Sequence, residues 1–272
     1  MRTVQYELMR PGELLAEKER FSVAYLPVGP LEWHGPHMPF GTDPLDAQAV
    51  ARGVAQKIGG VVFPTLYCGT ERARTPQELQ CMGFEEEDLY VVGMDVPANP
   101  VKSCYFPEEA FGMILREYLL QIVEQGFRLV VIVNGHGASG QLATGERLAR
   151  EFTHNTPATV LFTRAMQKLE EGDQRLGHAN ISETAMQMYI SGDSVDLSQL
   201  PPREVPLKTC DWGIADALEF QGLGNAAHTV EQDPRDATAQ LGRRYVENGV
   251  QRISDQVLAA YAELEPRQGT KA

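Results

Sequence analysis

Four side chains that can bind a divalent metal ion follow predicted strands in this sequence: Glu32, His34, Asp43 and His136. Glu32 and His34 are two residues apart, so in extended chain their side chains point to the same side and can share one site. A mixed set of histidine and carboxylate ligands without cysteine suits Zn²⁺, Mn²⁺ or Fe²⁺, and the ligand types do not choose among these ions. The spacing therefore predicts a metal site.

Each of these residues also has an ordinary structural explanation. Asp43 precedes Pro44 and can be the N-cap of a helix, and His136 can be a turn residue in Asn134-Gly135-His136-Gly137. His37 can orient a ligand or touch a substrate, or it can be a simple loop histidine. The metal site is favoured because four candidate ligands coincide at predicted strand ends.

Two apolar runs lead into the loops that hold these residues. Residues 21–28 and 128–133 are apolar enough to be strands buried on both faces, and each run stops abruptly in a loop. Further strands are predicted at 61–66 and 159–162, and helices are predicted to end near residues 58, 125, 154, 190 and 264. This alternation predicts an α/β fold with a mainly parallel sheet between two layers of helices. Because parallel strands end at one edge, the candidate ligands can converge there.

Residues 67–107 lack a strong period and contain prolines and an acidic cluster at 85–88. Such a long loop is typical of a lid, a subunit contact or a surface insertion without a role in chemistry, and the sequence leaves these open. There is no internal repeat and no low-complexity linker. We therefore predict one domain over residues 1–272.

Composition excludes several classes of protein. The net charge of −13 disfavours a nucleic-acid partner, which would need concentrated lysine and arginine. No run of about eighteen apolar residues and no basic-then-apolar start is present, which argues against a membrane span and a signal peptide. The four cysteines are scattered, as free thiols in a reducing cytoplasm would be. We expect a cytoplasmic enzyme.

Taken together, several segments resemble the creatininase family of creatinine amidohydrolases and related metal-dependent hydrolases. The first and most specific is Pro27-Val28-Gly29-Pro30-Leu31-Glu32-Trp33-His34-Gly35-Pro36-His37-Met38-Pro39, followed by Thr42-Asp43. The others are Asn134-Gly135-His136-Gly137, His178-Ala179-Asn180 with Glu183-Thr184, and Asp233-Pro234-Arg235-Asp236-Ala237-Thr238-Ala239. These matches occur in the family's order over nearly the whole chain.

The resemblance implies a three-layer α/β/α fold and two divalent metal ions per chain, zinc or manganese, with iron as an alternative. By position, Glu32 and His34 would each hold one metal, Asp43 would bridge both, and His136 would complete the first site. His178 would give a proton to the leaving nitrogen. The resemblance also implies a small-molecule substrate and a homo-oligomer, a hexamer, in the cytoplasm.

Two departures from the family pattern bear on the substrate. Creatininases proper have a glutamate ligand where this chain has Ala138, and Glu183 is the best replacement, which would make it both a ligand and a candidate catalytic residue. Only Trp33 and Trp212 are present, whereas creatininases proper cover the substrate with tryptophans ahead of the proton-shuttle histidine. Creatinine itself is therefore not the first choice of substrate.

The sequence thus predicts a hydrolase that uses a metal-activated water on a small polar, cyclic substrate, with amide C–N hydrolysis as the first interpretation. Two alternatives within the family are C–C ring opening of an inositol-derived cyclic diketone and deformylation of an N-formamide. In the C–C case, His178 or Glu183 would protonate the departing carbanion. A non-catalytic, sugar-binding protein with this fold is the alternative from another class, and it would have little use for six such side chains.

Overall fold

The computed structural model describes residues 3–82, 84, 89–97, 99–170, 176–205, 207–210, 213–215 and 232–264. Its centre is a parallel sheet whose strands all run toward one edge. The predictions that fall on Trp212 and on the acidic cluster at 85–88 lie outside the described residues.

The sheet contains five strands. They are β1 (Val23–Gly29), β2 (Val61–Val62), β3 (Leu66–Tyr67), β4 (Leu129–Asn134) and β5 (Thr159–Arg164). Their order is β2-β1-β4-β5, with β3 also paired to β1, and every pair is parallel. The predicted strand 61–66 is thus two short strands rather than one.

Seven helices accompany the sheet in the described part of the chain. They are α1 (Pro11–Arg20), α2 (Thr42–Ile58), α3 (Pro76–Cys81), α4 (Glu108–Glu124), α5 (Ser139–Asn155), α6 (Ile181–Ile190) and α7 (Ala239–Ala262). Short 3₁₀ turns lie at Tyr6–Leu8, Gly192–Ser194, Leu197–Gln199 and Pro234–Asp236. An antiparallel pair, β6 (Lys208–Cys210) and β7 (Gly213–Ala215), falls in a stretch where the sequence predicted no element. No described helix is both long and apolar enough to cross a membrane.

Alternate residues of the central strands face two separate cores. Tyr25 and Val131 point to the face covered by α2, α6 and α7, where they are buried with Val50 and Tyr245. Their neighbours Leu26 and Ile132 point to the opposite core, which contains residues of α4 and α5. Because both faces of the sheet are buried, the strands are apolar throughout. The three-layer α/β/α prediction is confirmed, with the mainly parallel sheet in the middle.

The described residues of the segment 67–107 include several that pack on the loop that follows β1. Trp33 of that loop lies in a small core with Met82, Met94 and other buried residues of the segment. A backbone bridge joins Leu31 to Cys104, and the amide of Trp33 donates to Ser103 Oγ at 3.0 Å. Despite its lack of period, the segment therefore covers the loop that carries Glu32 and His34.

Candidate metal centre

Asp43 lies inside the first turn of α2, which begins at Thr42 with Gly41 as its N-cap. The expectation that Asp43 is the N-cap was wrong, and its carboxylate is directed instead at two histidines. Asp43 Oδ1 is 3.3 Å from His34 Nε2, and Asp43 Oδ2 is 2.8 Å from His136 Nδ1. A buried carboxylate between two imidazoles has the arrangement of a bridging ligand rather than of a helix cap.

The loop after β4 packs directly against the start of α2. Val28 of β1 pairs with Asn134 of β4, so both strands end at the same level. A Cβ on Gly135 would lie 1.9 Å from the carbonyl oxygen of Asp43, closer than any side chain allows. The glycine in Asn134-Gly135-His136-Gly137 is therefore required for the approach that brings His136 to Asp43.

The side chain of Asn134 stabilises this loop through hydrogen bonds. Its side-chain amide donates to the carbonyl of His136, and its Oδ1 accepts a 2.6 Å bond from Gln141 Nε2. Gln141 Oε1 in turn accepts the backbone N–H of Thr70 at 3.0 Å. A chain of buried amide groups thus fixes the backbone that presents the His136 ring.

All six predicted site residues meet at this edge of the sheet. They form three groups whose ligand atoms lie within 4.8 Å of one another: Glu32, Asp43 and His136; His34, Asp43 and Glu183; and Glu32, His34 and His178. Each group offers three ligand atoms to a metal ion, and Asp43 is common to the first two groups.

His34 presents a lone pair to this cluster. Its Nδ1 is 3.0 Å from the carbonyl oxygen of Glu32, which can only accept, so Nδ1 carries the proton. Its Nε2 is buried without a hydrogen bond among the described residues, and lies 3.6 Å from Glu183 Oε2 and 3.3 Å from Asp43 Oδ1. A buried ring nitrogen that faces carboxylates needs positive charge beside it, which either its own proton or a metal ion can supply.

The pKa shifts of His34, His136 and Asp43 also indicate that the cluster is stabilised by positive charge. Burial alone would lower the pKa of both histidines. Asp43, Glu183 and Glu32 nevertheless hold the pKa of His34 well above the usual range, and Glu32 and Asp43 do the same for His136. Burial likewise opposes ionisation of Asp43, yet the two imidazoles keep its pKa below normal. In metal-free protein, protons on the histidines would supply the positive charge. Divalent ions fit the same nitrogen and oxygen ligands and would take the place of those protons.

His178 and Glu183 lie at the side of the cluster next to α6. Burial, followed by the charge of His34, lowers the pKa of His178 to about 3, so its imidazole is neutral at physiological pH. Its ring lies 4.4 Å from that of His34, and its Nδ1 is 3.9 Å from Glu32 Oε2. Burial raises the pKa of Glu183 to about 7, and its Oε2 accepts the backbone N–H of Ala179 at 2.6 Å.

The resemblance predicts Glu183 as the replacement for the ligand that Ala138 cannot supply, and Glu183 does lie with His34 and Asp43 in one ligand group. Ala138 is buried at the N-cap of α5 and brings no donor, while Glu183 Oε2 reaches to 3.6 Å from His34 Nε2. The carboxylate therefore comes from the first turn of α6 instead of from the loop after β4.

Tyr105 is a site residue that sequence reasoning missed. Its hydroxyl donates to Glu32 Oε1 at 2.5 Å and accepts the backbone N–H of Met94 at 3.2 Å. Burial, and then the charge of Glu32, raises its pKa well above the usual value, so it remains a donor. The bond orients Glu32 with its other oxygen, Oε2, toward His136 at 3.2 Å. The sequence carried no signal for it, because tyrosine is not a typical ligand and residues 67–107 have no period.

His37 lies outside the three ligand groups. Its Nε2 makes a 3.0 Å hydrogen bond with Thr184 Oγ1, and its carbonyl accepts the N–H of Asp196. Burial and the charge of His34 lower its pKa to about 3, so it is neutral. It ties the loop after β1 to α6 beside Glu183.

A cavity of about 450 Å³ opens beside the cluster. Glu32, Asp43, His136, His178 and Glu183 line its inner end. The remaining wall carries both charged and apolar side chains: Glu71, Arg74, Glu78, Met94, Arg164, Met166 and Leu176. A small polar molecule can reach the ligand groups through this space.

Fold and cluster together define an α/β enzyme of the metal-dependent hydrolase class. The creatininase family model, described as creatinine amidohydrolase, matches residues 7–83 and 103–257. The chain belongs to the creatininase family, and it is an enzyme.

Known relatives agree with this assignment. The mycofactocin precursor peptide peptidase of Mycolicibacterium smegmatis is 27% identical over 248 residues, which cover 85% of this chain and 83% of that protein. A mutant creatininase of Zn-Zn type has a similar structure, with a TM-score of 0.68, 22% identity, and coverage of 98% of this chain and 100% of that chain. A structure described as creatininase Mn has a TM-score of 0.65 and 21% identity to this chain. The match covers 97% of this chain and 100% of that chain. These structural likenesses establish the shared fold.

Proposed function

We propose that this enzyme hydrolyses the C–N bond of an amide in a small polar, cyclic substrate with the help of two divalent ions. The observation that carries the proposal is the pair of ligand triads joined by Asp43. Glu32, Asp43 and His136 would hold one ion, and His34, Asp43 and Glu183 would hold the other. Zinc and manganese both suit these donors, and similar structures are described as Zn-Zn and Mn creatininases. Iron remains an alternative.

Two bound ions would supply an activated water molecule and would polarise the amide carbonyl. The chain's own residues would do the rest. His178, neutral and at the cavity wall, would take the proton that the water loses and give it to the leaving nitrogen as the C–N bond breaks. Tyr105 would keep Glu32 in place through the reaction. Because the amide is cyclic, its hydrolysis would give a single open-chain product that carries both the new carboxylic acid and the new amine.

A metal assay and a turnover screen test the proposal together. Elemental analysis of purified protein should give two divalent ions per chain. Metal-replete protein should then be screened against creatinine, N-formyl compounds and oxidised inositols, which separates amide hydrolysis, deformylation and C–C ring opening. Protein without bound divalent ion and without turnover would contradict the proposal. Turnover of oxidised inositols alone would replace amide hydrolysis by C–C hydrolysis.

A peptide amide is the second candidate substrate. It is favoured by the likeness to a relative named as a peptide peptidase. Short synthetic peptides therefore belong in the same screen, and cleavage of a peptide but of no cyclic amide would favour this second function.

The assembly and location stay predictions. We propose a cytoplasmic homo-oligomer, a hexamer, with a small-molecule substrate and no nucleic-acid partner. Light scattering after size exclusion would test the mass against multiples of the 30.1 kDa chain. A monomer would contradict it.

A further inference from the structure

We infer that Arg164 binds a carboxylate on the substrate, so that the hydrolysed amide belongs to an acid such as an N-acyl amino acid or the last residue of a short peptide. The inference rests on the proposed amide C–N hydrolysis, and it assigns that reaction to linear amides that carry a carboxylate, in line with the second candidate substrate, instead of to a cyclic amide. It assigns to Arg164 the choice of substrate rather than any part in the bond-breaking step.

Arg164 stands at the same sheet edge as the cluster. It is the last residue of β5 and pairs in register with Asn134, two residues before His136. Arg164 is one of the residues that line the cavity, together with His136 and His178. The Arg252 guanidinium donates to the carbonyl oxygen of Arg164, so the backbone that carries the side chain is anchored.

The charges on the cavity wall single out this arginine. Arg74, the other arginine of the wall, is engaged with Glu71 at 3.1 Å and with Glu78 at 3.6 Å, and it also donates to the carbonyl of Gly93. The guanidinium of Arg164 makes no hydrogen bond or ion pair with any residue that the structure describes. Its charge is therefore free to meet an anion inside the cavity.

The two cavity-wall carboxylates outside the cluster, Glu71 and Glu78, are both paired with Arg74 and not with Arg164. The first turn of α5, which lines the cavity at Ser139, contains no acidic residue. Two divalent ions would more than balance the three carboxylates of the cluster. A substrate group placed between the cluster and Arg164 would thus meet positive charge from both sides, which favours an anion.

Shape and polarity point to a carboxylate with an apolar neighbour. A guanidinium matches the planar, two-oxygen carboxylate with paired hydrogen bonds. Met166 and Leu176 line the same cavity, so an apolar side chain next to the carboxylate has surfaces to contact. An amino acid residue joined through its amine to an acyl group has this combination of features.

The test compares two amides that differ only in the carboxylate: N-formyl-L-leucine and N-formyl-3-methylbutylamine. Binding and turnover are measured on metal-replete wild-type protein, Arg164→Gln, Arg164→Lys and Arg150→Gln. Arg150 is the matched control, because it is an exposed arginine of α5 that pairs with Glu146 and is not part of the cavity wall. Thermal unfolding of each variant checks that the fold is retained.

Wild-type protein should bind the acid about tenfold more tightly than the neutral amide, because one charged hydrogen-bonded pair contributes about this much to affinity. Arg164→Gln should lose this preference, Arg164→Lys should keep part of it, and Arg150→Gln should keep all of it. The metal content should be the same in all four proteins.

Two results would overturn the inference. One is equal binding of acid and neutral amide by wild-type protein. The other is a preference that survives in Arg164→Gln and disappears in metal-free wild-type protein, because the carboxylate would then be held by the ions. If both compounds bind with the predicted pattern but neither is hydrolysed, the amide-hydrolysis proposal fails for this class while the binding role of Arg164 stands.

Discussion

Asp43 is the residue that the two proposed metal sites have in common. Its two oxygens face different histidines, at 3.3 Å from His34 and 2.8 Å from His136. We therefore expect Asp43→Ala to lose both ions, while a cap residue would affect only the stability of α2. Elemental analysis per chain is the measurement, with His154→Ala on the exposed side of α5 as the control. Two ions retained in Asp43→Ala would show that the carboxylate is not a ligand.

Tyr105 orients a proposed ligand without touching the proposed ions. Tyr105→Phe removes the 2.5 Å hydrogen bond to Glu32 Oε1 and leaves the ring in place. Loss of such a supporting bond lowers metal affinity by about ten- to a hundredfold. Competition with a coloured chelator measures the affinity, and Tyr90→Phe, exposed in the same segment, is the control. Unchanged affinity would mean that Glu32 is held in place by its other contacts.

Residue types and spacing named four members of the cluster, Glu32, His34, Asp43 and His136, and the resemblance to the creatininase family added His178 and Glu183. The sequence did not give the local geometry: Asp43 was expected as the N-cap with Pro44 as the first helical residue, and the helix begins two residues earlier, at Thr42. Tyr105 reaches Glu32 across 73 positions of sequence, and a contact of that range leaves no local pattern. The roles of the six residues, and that of His37, are still predictions.

At the level of elements, the contact between the β4 loop and α2 determines the distance between His136 and Asp43. Gly135→Ala would place a Cβ 1.9 Å from the Asp43 carbonyl oxygen, so the loop and the helix must separate. We expect a loss of about 1–3 kcal/mol in unfolding free energy and weaker metal binding. Urea unfolding measures the first effect. Gly137→Ala is the control, since a Cβ at that position would have no atom within 4 Å.

A second link joins the two helices that carry Asp43 and Glu183. Gln187, one turn after Glu183, donates through Nε2 to Asp46 Oδ1 at 2.7 Å and to the carbonyl of Thr42 at 3.2 Å. Gln187→Met would leave these buried oxygens of α2 without a donor, at about 1–3 kcal/mol. Urea unfolding is again the measurement, with Gln121→Met on the exposed side of α4 as the control. Equal stability of both variants would contradict the link.

The elements that were predicted well are those with two buried faces or a clear helical period. Strands β1, β4 and β5 and helix α4 lie within about two residues of their expected ends, since burial on both faces imposes an uninterrupted apolar run. Residues 67–107 are stabilised by contacts with Trp33, and the β6–β7 pair lies in a turn-rich stretch, so neither has a period to detect.

For the whole molecule, the cluster links metal binding to stability. Three carboxylates and three histidines are buried together, and without ions their charges must be balanced by protons or by opening of the site. Ions that bind only the folded state stabilise it by about 4 kcal/mol at a thousandfold excess over Kd. We expect a chelator to lower the Tm of wild-type protein by more than about 5 °C. Asp43→Ala is the control, and its Tm should not shift, because this variant has no ions to lose. A wild-type Tm that does not respond to the chelator would show that the cluster does not bind a stabilising metal ion.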